Sequence, residues 1–101
     1  MSVRPSPSPP DYLDTALRRR WETLAPLAVA NGTLTAATAD AFARYVISEQ
    51  QWLRSVQHTM DALHRGDAPG ARMWASVQDR FWRQLAVAGR SFGLTPDATL
   101  F

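Results

Sequence analysis

Apolar residues recur most regularly between Thr35 and Arg65, where they follow the period of one amphipathic helix. The polar face places Asp40 four residues before Arg44 and Asp61 four before Arg65, the order that favours ion pairs on a helix surface. Such a helix is roughly 45 Å long, more than the rest of a 101-residue chain can cover. Part of its apolar face is therefore predicted to need a partner. That face carries Phe42, Tyr45, Val46, Trp52, Leu53, Val56, Met60 and Leu63.

A first helix is predicted from about Asp14, a good N-cap residue, to Asn31. Gly32 follows as the residue that accepts a left-handed conformation. Pro26 lies inside this helix and should kink it, because proline lacks an N–H and its ring clashes with the preceding turn. The apolar stripe of this helix consists of Leu17, Trp21, Leu24 and Ala28.

A third helix is predicted over residues 71–92, after a Gly/Pro-rich turn over residues 66–70 that folds it back against the long helix. Gly93 should end it, Leu94 can fold back onto it, and Thr95-Pro96-Asp97 indicates a fresh helix start. The predicted fold class is therefore all-α, with three helices at about 14–31, 35–65 and 71–92 and a long antiparallel hairpin. The stripe of the third helix is Trp74, Val77, Phe81, Leu85, Ala88 and Phe92.

Residues 1–10 hold four of the seven prolines and predict a disordered or polyproline II tail, which leaves residues 11–101 as a single helical oligomerisation domain. The chain has no cysteine and only two histidines, which excludes a disulfide framework and a thiolate zinc site. No apolar run approaches the roughly 20 residues that span a bilayer. These features predict a soluble cytoplasmic protein with no metal, no cofactor and no membrane contact.

No nucleophile with a base, carboxylate pair or phosphate-binding glycine loop is present, so we expect no enzyme activity. All eleven basic residues are arginines, which suit bidentate contacts to phosphate, although a GC-rich coding bias or a solvated face also explains them. The glycine turn between the first two helices suggests a helix-turn-helix. Thr38, however, stands where an apolar residue is wanted, and the next helix is too long for a recognition helix.

Two residues on the hairpin are hard to place as ordinary core or surface. Glu49 lies within the apolar face, where an ionised carboxylate is costly unless it is paired. It either reaches a Trp N–H, an arginine of a neighbouring helix or the edge of the core, or it forms an ion pair between subunits. Trp82 points away from the stripe of the third helix, towards a partner or under the tail. The predicted oligomer interface consists of Glu49, Trp52, Leu53 and Trp82.

A series of landmarks follows one order along the chain: Trp21, Leu24-Ala25-Pro26, Gly32-Thr33-Leu34-Thr35, Asp40, Tyr45 and Phe92-Gly93-Leu94-Thr95-Pro96. This order resembles the small subunit of phage terminases, in the short helical family that ends near a Phe-Gly-Leu-Thr-Pro segment. The resemblance extends from Pro9 to Pro96. It implies a non-enzymatic, ring-forming homo-oligomer that binds double-stranded DNA and delivers it to a large terminase subunit carrying the ATPase and the nuclease.

The chain departs from that family pattern at three places. The segment between the long helices is reduced to the turn around Pro69, residues 98–101 stand where arginines are usual, and no DNA-reading domain fits in the tail. We therefore expect weak, non-specific phosphate contacts, as would suit a gene transfer agent derived from a phage. The alternative is a helical dimerising adaptor or regulatory protein with no DNA role. The DNA-binding candidates are Arg18, Arg19, Arg20, Arg72, Arg83 and Arg90.

Overall fold

The computed structural model describes residues 7–94, which form three α-helices in an elongated body of 57 × 24 × 21 Å. Helix α1 spans Thr15–Ala30, α2 spans Ala39–His64 and α3 spans Ala68–Ser91. Helices α2 and α3 pack along one another as an antiparallel hairpin, so the predicted all-α fold is confirmed. The predicted helix start at Thr95-Pro96-Asp97 and the first six residues of the predicted tail lie outside the described residues.

All three helices end at a glycine in the left-handed conformation, at Gly32, Gly66 and Gly93, with φ of 73°, 71° and 69°. In each case the amide of the next residue donates to the carbonyl five positions back, at 2.8–3.0 Å. This is the Schellman arrangement, in which glycine avoids the steric cost of a positive φ. The ends predicted at Gly32 and Gly93 are confirmed. Helix α1 continues through Pro26 to Ala30, and the bend expected at Pro26 stays a prediction.

The starts of the helices depend on side-chain caps. Asp14 caps α1 as predicted, because its Oδ1 accepts from the Leu17 amide at 2.8 Å. Helix α2 begins later than residue 35, after a 3-10 turn over Ala36–Thr38. The Thr38 hydroxyl accepts from the Thr35 amide at 2.9 Å and donates to the Thr33 carbonyl at 2.8 Å, so Thr38 fills the place of the usual Glu or Gln.

Helix α3 begins three residues before the predicted position, and the prediction of a turn through Gly70 was wrong. The Asp67 carboxylate accepts from the Gly70 amide at 2.9 Å and caps the helix. Pro69 lies in the first turn, where a missing N–H costs nothing. The connection between α2 and α3 is therefore limited to Arg65, Gly66 and Asp67.

The core lies at one end of the hairpin, where α1 packs on α2 and the residues that follow α1 contact the end of α3. The Trp21 and Phe42 rings meet edge to face at a centroid distance of 4.8 Å, and so do the Phe42 and Phe92 rings at 5.1 Å. The Trp21 indole N–H donates to the Pro7 carbonyl at 3.1 Å. We call this the proximal end. The distal half, residues 53–80, consists of two helices alone, and its fully buried residues are Ser55, Ala62 and Ala71.

Side chains between α1 and α2 tie this connection to the end of α3. Asn31 Nδ2 donates to the carbonyls of Phe92 and Gly93 at 3.3 and 3.2 Å, and the Thr33 hydroxyl donates to the Phe92 carbonyl at 2.8 Å. These bonds satisfy carbonyls that the end of α3 leaves without helical partners. We call this set of hydrogen bonds the clamp. It closes the proximal end around Leu34 and Leu94, both of which are buried.

Candidate nucleic-acid and oligomer interfaces

Glu49 is only 2% exposed and pairs with Arg20 of α1. Both guanidinium Nε and Nη2 of Arg20 donate to the carboxylate, the second at 3.2 Å. Of the alternatives for Glu49, an arginine of a neighbouring helix is therefore the one observed within the chain. The two-point pairing offsets the cost of burying the charge and links α1 to α2.

The other two arginines of α1 differ in how far they are engaged by the fold. Arg18 Nε donates to the Leu13 carbonyl at 3.0 Å, and its Nη2 lies 3.8 Å from the Asp11 carboxylate. Arg19 is exposed. Arg18 and Arg20 thus make contacts within the fold. Arg19 is the member of this predicted DNA-binding trio whose side chain is exposed to solvent.

The arginines of α3 lie together on its outer face. Helix α3 contains four arginines and one aspartate, and at about 100° per residue the four arginines fall within about 80° of one another. They span roughly 27 Å and are exposed. Three of them were predicted from the sequence, and Arg80 was missed although the same helical spacing includes it. We call Arg72, Arg80, Arg83 and Arg90 the arginine strip.

Within the described part of the chain, Arg83 is the member of the strip that meets a carboxylate, that of Asp79 at 2.5 Å. Arg90 Nε donates to the Ala86 carbonyl at 3.3 Å, a neutral group that leaves the charge of Arg90 uncompensated.

The ion pairs that the sequence favours on the surface of α2, between Asp40 and Arg44 and between Asp61 and Arg65, do not form in the described structure. Nη2 of Arg65 lies instead 3.9 Å from the carboxylate of Asp67 in the α2–α3 connection.

The orientation predicted for Trp82 is also wrong. Its ring contacts Trp52 of α2 at a centroid distance of 4.9 Å, so Trp82 faces the hairpin and is half-buried. Trp52 is 8% exposed, while Leu53 is 43% exposed. Leu53 is thus the predicted interface residue with a substantial free apolar surface.

The apolar face of α2 continues beyond the end of α1 without a cover in the described structure. Met60 is 53% and Leu63 is 63% exposed, and both extend the row that includes Leu53. We call Leu53, Met60 and Leu63 the front patch. An open cavity of about 350 Å³ lies where α1 stops covering α2, and it is lined by Ala16, Leu17, Arg20, Val46, Glu49, Gln50 and Leu53.

Other kinds of site find no support in the described residues. Across residues 7–94, no three His, Cys, Asp or Glu side chains lie together as a metal site would need. A search of the helices in the same part of the chain finds none that could span a membrane.

The family model for the small subunit of phage terminase matches residues 18–99. No curated protein and no solved structure matches the chain significantly. The matched region includes nearly all of α1 and the whole of α2 and α3, and with them the proximal core, the clamp and the arginine strip. The chain therefore belongs to the family of phage terminase small subunits, and its role is in phage DNA packaging.

Proposed function

We propose that this chain is a non-enzymatic, ring-forming adaptor in the host-cell cytoplasm. In this proposal it binds double-stranded DNA weakly and non-specifically and delivers it to the ATPase and nuclease of a large terminase subunit. The family match over residues 18–99 is the observation that carries the proposal. The finer steps are supported by two surfaces of the hairpin, the arginine strip and the front patch.

The arginine strip suits contact with the DNA backbone rather than with base edges. Its helix carries a net charge of +3, from four arginines and one aspartate, and is packed along α2, so it presents one exposed face and cannot enter a groove freely. Arg72, Arg80 and Arg90 have no carboxylate within 4 Å among the described residues. Each is free to neutralise a phosphate, which gives binding that depends on salt and not on sequence.

The front patch supports self-association. Three large apolar side chains, between 43% and 63% exposed, form a row on one helix, whereas a single exposed leucine would need no explanation. The row continues the surface that α1 covers at the proximal end, and a second copy can cover the remainder. Closed assemblies built from many copies would carry many arginine strips, and weak single contacts would then add up.

The DNA part of the proposal is tested by the salt dependence of binding to a fluorescent duplex between about 50 and 200 mM salt. The variant Arg72→Gln, Arg80→Gln, Arg90→Gln removes three free charges from the strip. At about 0.9 units of slope per phosphate contact, the slope of log K against log salt should fall by between two and three per bound chain.

The control is Arg44→Gln, Arg54→Gln, Arg65→Gln, which removes two exposed arginines of α2 and one of the α2–α3 connection and changes the net charge equally. Its slope should stay close to that of the unsubstituted chain. Equal losses in both variants would mean that overall charge, not the strip, governs binding. If the unsubstituted chain does not bind the duplex at low salt, the DNA role itself is wrong and the adaptor alternative gains support.

A further inference from the structure

Two aromatic contacts define opposite sides of the hairpin. Trp52 of α2 meets Trp82 of α3 at 4.9 Å on one side. His58 stacks on Trp74 at a centroid distance of 4.3 Å and an angle of 20° on the other. The directions of Trp52 and His58 differ by about 120° around α2, and the line to α3 runs between them. Any residue of the distal half can therefore be assigned to the Trp52 side or to the His58 side.

The front patch lies on the Trp52 side. Leu63 is about 20° and Met60 about 80° from Trp52 around α2, in the direction away from His58. This is also the side on which α1 covers Phe42 and Glu49 at the proximal end. The front patch therefore continues the α1–α2 interface in line.

A second apolar patch lies on the His58 side. Met73 of α3 is 55% exposed, and Trp74 and Val77 beside it are half-buried. Going around α3 away from Trp82, the order is Trp74, Val77 and then Met73. We call Met73, Trp74 and Val77 the back patch. It lies in the same distal half as the front patch and faces the opposite way.

Two different patches on opposite faces favour one mode of self-association. A two-fold dimer buries the same surface on both subunits and would leave one patch of each copy open. When the front of one copy packs on the back of the next, both patches are covered, and the contact repeats until the assembly closes. Met60 and Met73 lie one helical turn or less beyond the His58–Trp74 contact, and flexible methionines adapt well to such contacts.

We propose that copies of this chain associate through a heterologous interface in which the front patch of one copy packs on the back patch of the next. The inference rests on the ring assembly proposed above and names its two surfaces. Arg72, Arg83 and Arg90 remain free in this arrangement, because they lie about 80–100° around α3 from Met73, on the side away from Val77 and Trp74. Arg80 lies only about 20° from Met73 and borders the back patch. Most of the arginine strip and the neighbouring subunits thus use different faces of α3.

The test uses one charged substitution in each patch of the full chain. The front variant is Met60→Glu, the back variant is Met73→Glu, and Leu27→Glu on α1 is the control, with a side chain 50% exposed in the chain as it stands. All three sites are exposed, so the fold should survive, which circular dichroism checks. Native mass spectrometry then gives the assembly of each variant alone and of the front and back variants mixed.

The front and back variants should each be monomeric alone, and their mixture should form one-to-one heterodimers, since one intact interface remains. The control should assemble like the unsubstituted chain. If the front variant is monomeric while the back variant assembles fully, the contact is isologous and the inference is wrong. It is equally wrong if both variants assemble fully. A monomeric unsubstituted chain would instead overturn the ring in the proposed function.

Discussion

Arginine serves two separate purposes in this chain, which has eleven arginines and no lysine. Arg20 turns inward to a buried carboxylate and Arg18 holds backbone carbonyls before α1, whereas the arginine strip faces solvent. The planar guanidinium suits both purposes because it makes several directed hydrogen bonds at once. A run of consecutive basic residues is therefore a poor guide to the DNA surface here, and the helical spacing on α3 is a better one.

The Arg20 and Glu49 pair should behave as a buried pair. Arg20→Met alone leaves the carboxylate buried without its arginine and should lower the free energy of unfolding by about 3 kcal/mol. This value is near the lower end of the range for breaking a buried ion pair, because Arg20 is itself partly exposed. Arg20→Met with Glu49→Leu should recover most of that loss, since neither charge then remains buried. Urea unfolding of both single variants and the double variant measures this. Additive losses would contradict it.

The pairing of Glu49 shows what a single helix pattern can and cannot specify. The periodicity places Glu49 on the covered face of α2, which was sufficient to predict that it needs a partner. The identity of that partner depends on where α1 lies along α2, and this is set by packing around Trp21 and Phe42. Four alternatives for Glu49 therefore remained open at the sequence level, and the tertiary structure shows the arginine of a neighbouring helix.

At the scale of whole helices, the ends were predictable and the starts less so. Gly32 and Gly93 mark ends because few other residues accept a positive φ. The start of α3 was misplaced because Asp67, Pro69 and Gly70 are typical of turns and equally of a capped first turn. Trp82 was assigned to the wrong side because a helix in a hairpin buries a wider arc than one stripe predicts.

Gly93 should tolerate alanine less well than Gly66 does. Both have positive φ, at a cost of about 1–2 kcal/mol for a residue with a side chain. A Cβ at Gly93 would also lie 2.7 Å from Asn31 Nδ2, whereas a Cβ at Gly66 meets nothing within 4 Å. Gly93→Ala should thus be the more destabilising by about 1 kcal/mol, the value of a clamp hydrogen bond.

The comparison is made by chemical denaturation, with Asn31→Ala as the background that separates the two causes. In that background the clash is absent, and the two alanine substitutions should cost the same. If Gly93→Ala still costs more without the Asn31 side chain, contact with the clamp is not the reason for the difference.

Across the whole molecule, stability should be uneven. The proximal end has three helices around an aromatic core, and the distal half has two helices with few fully buried residues. Amides of residues 53–80 should therefore exchange with solvent through local opening at a lower free energy than amides around Phe42 and Leu85. Hydrogen exchange followed by mass spectrometry measures this on a dilute sample. Uniform protection along the hairpin would contradict it.

The same measurement on a concentrated sample extends the prediction. If copies pack through their distal halves, protection there should rise on assembly while the proximal end changes little. A rise confined to the proximal end would assign the subunit contacts to α1 instead.

The uneven covering of the hairpin by α1 gives the molecule a taper. One face carries a third helix at the proximal end only, which adds about 8–10 Å of thickness there. Bodies shaped as wedges and stacked face to face cannot form a straight column, since their thick ends splay apart at each step. A stack of these subunits would curve steadily towards its thin ends. The taper, and not a dedicated closing contact, would then set the curvature and hence the number of copies in a closed circle.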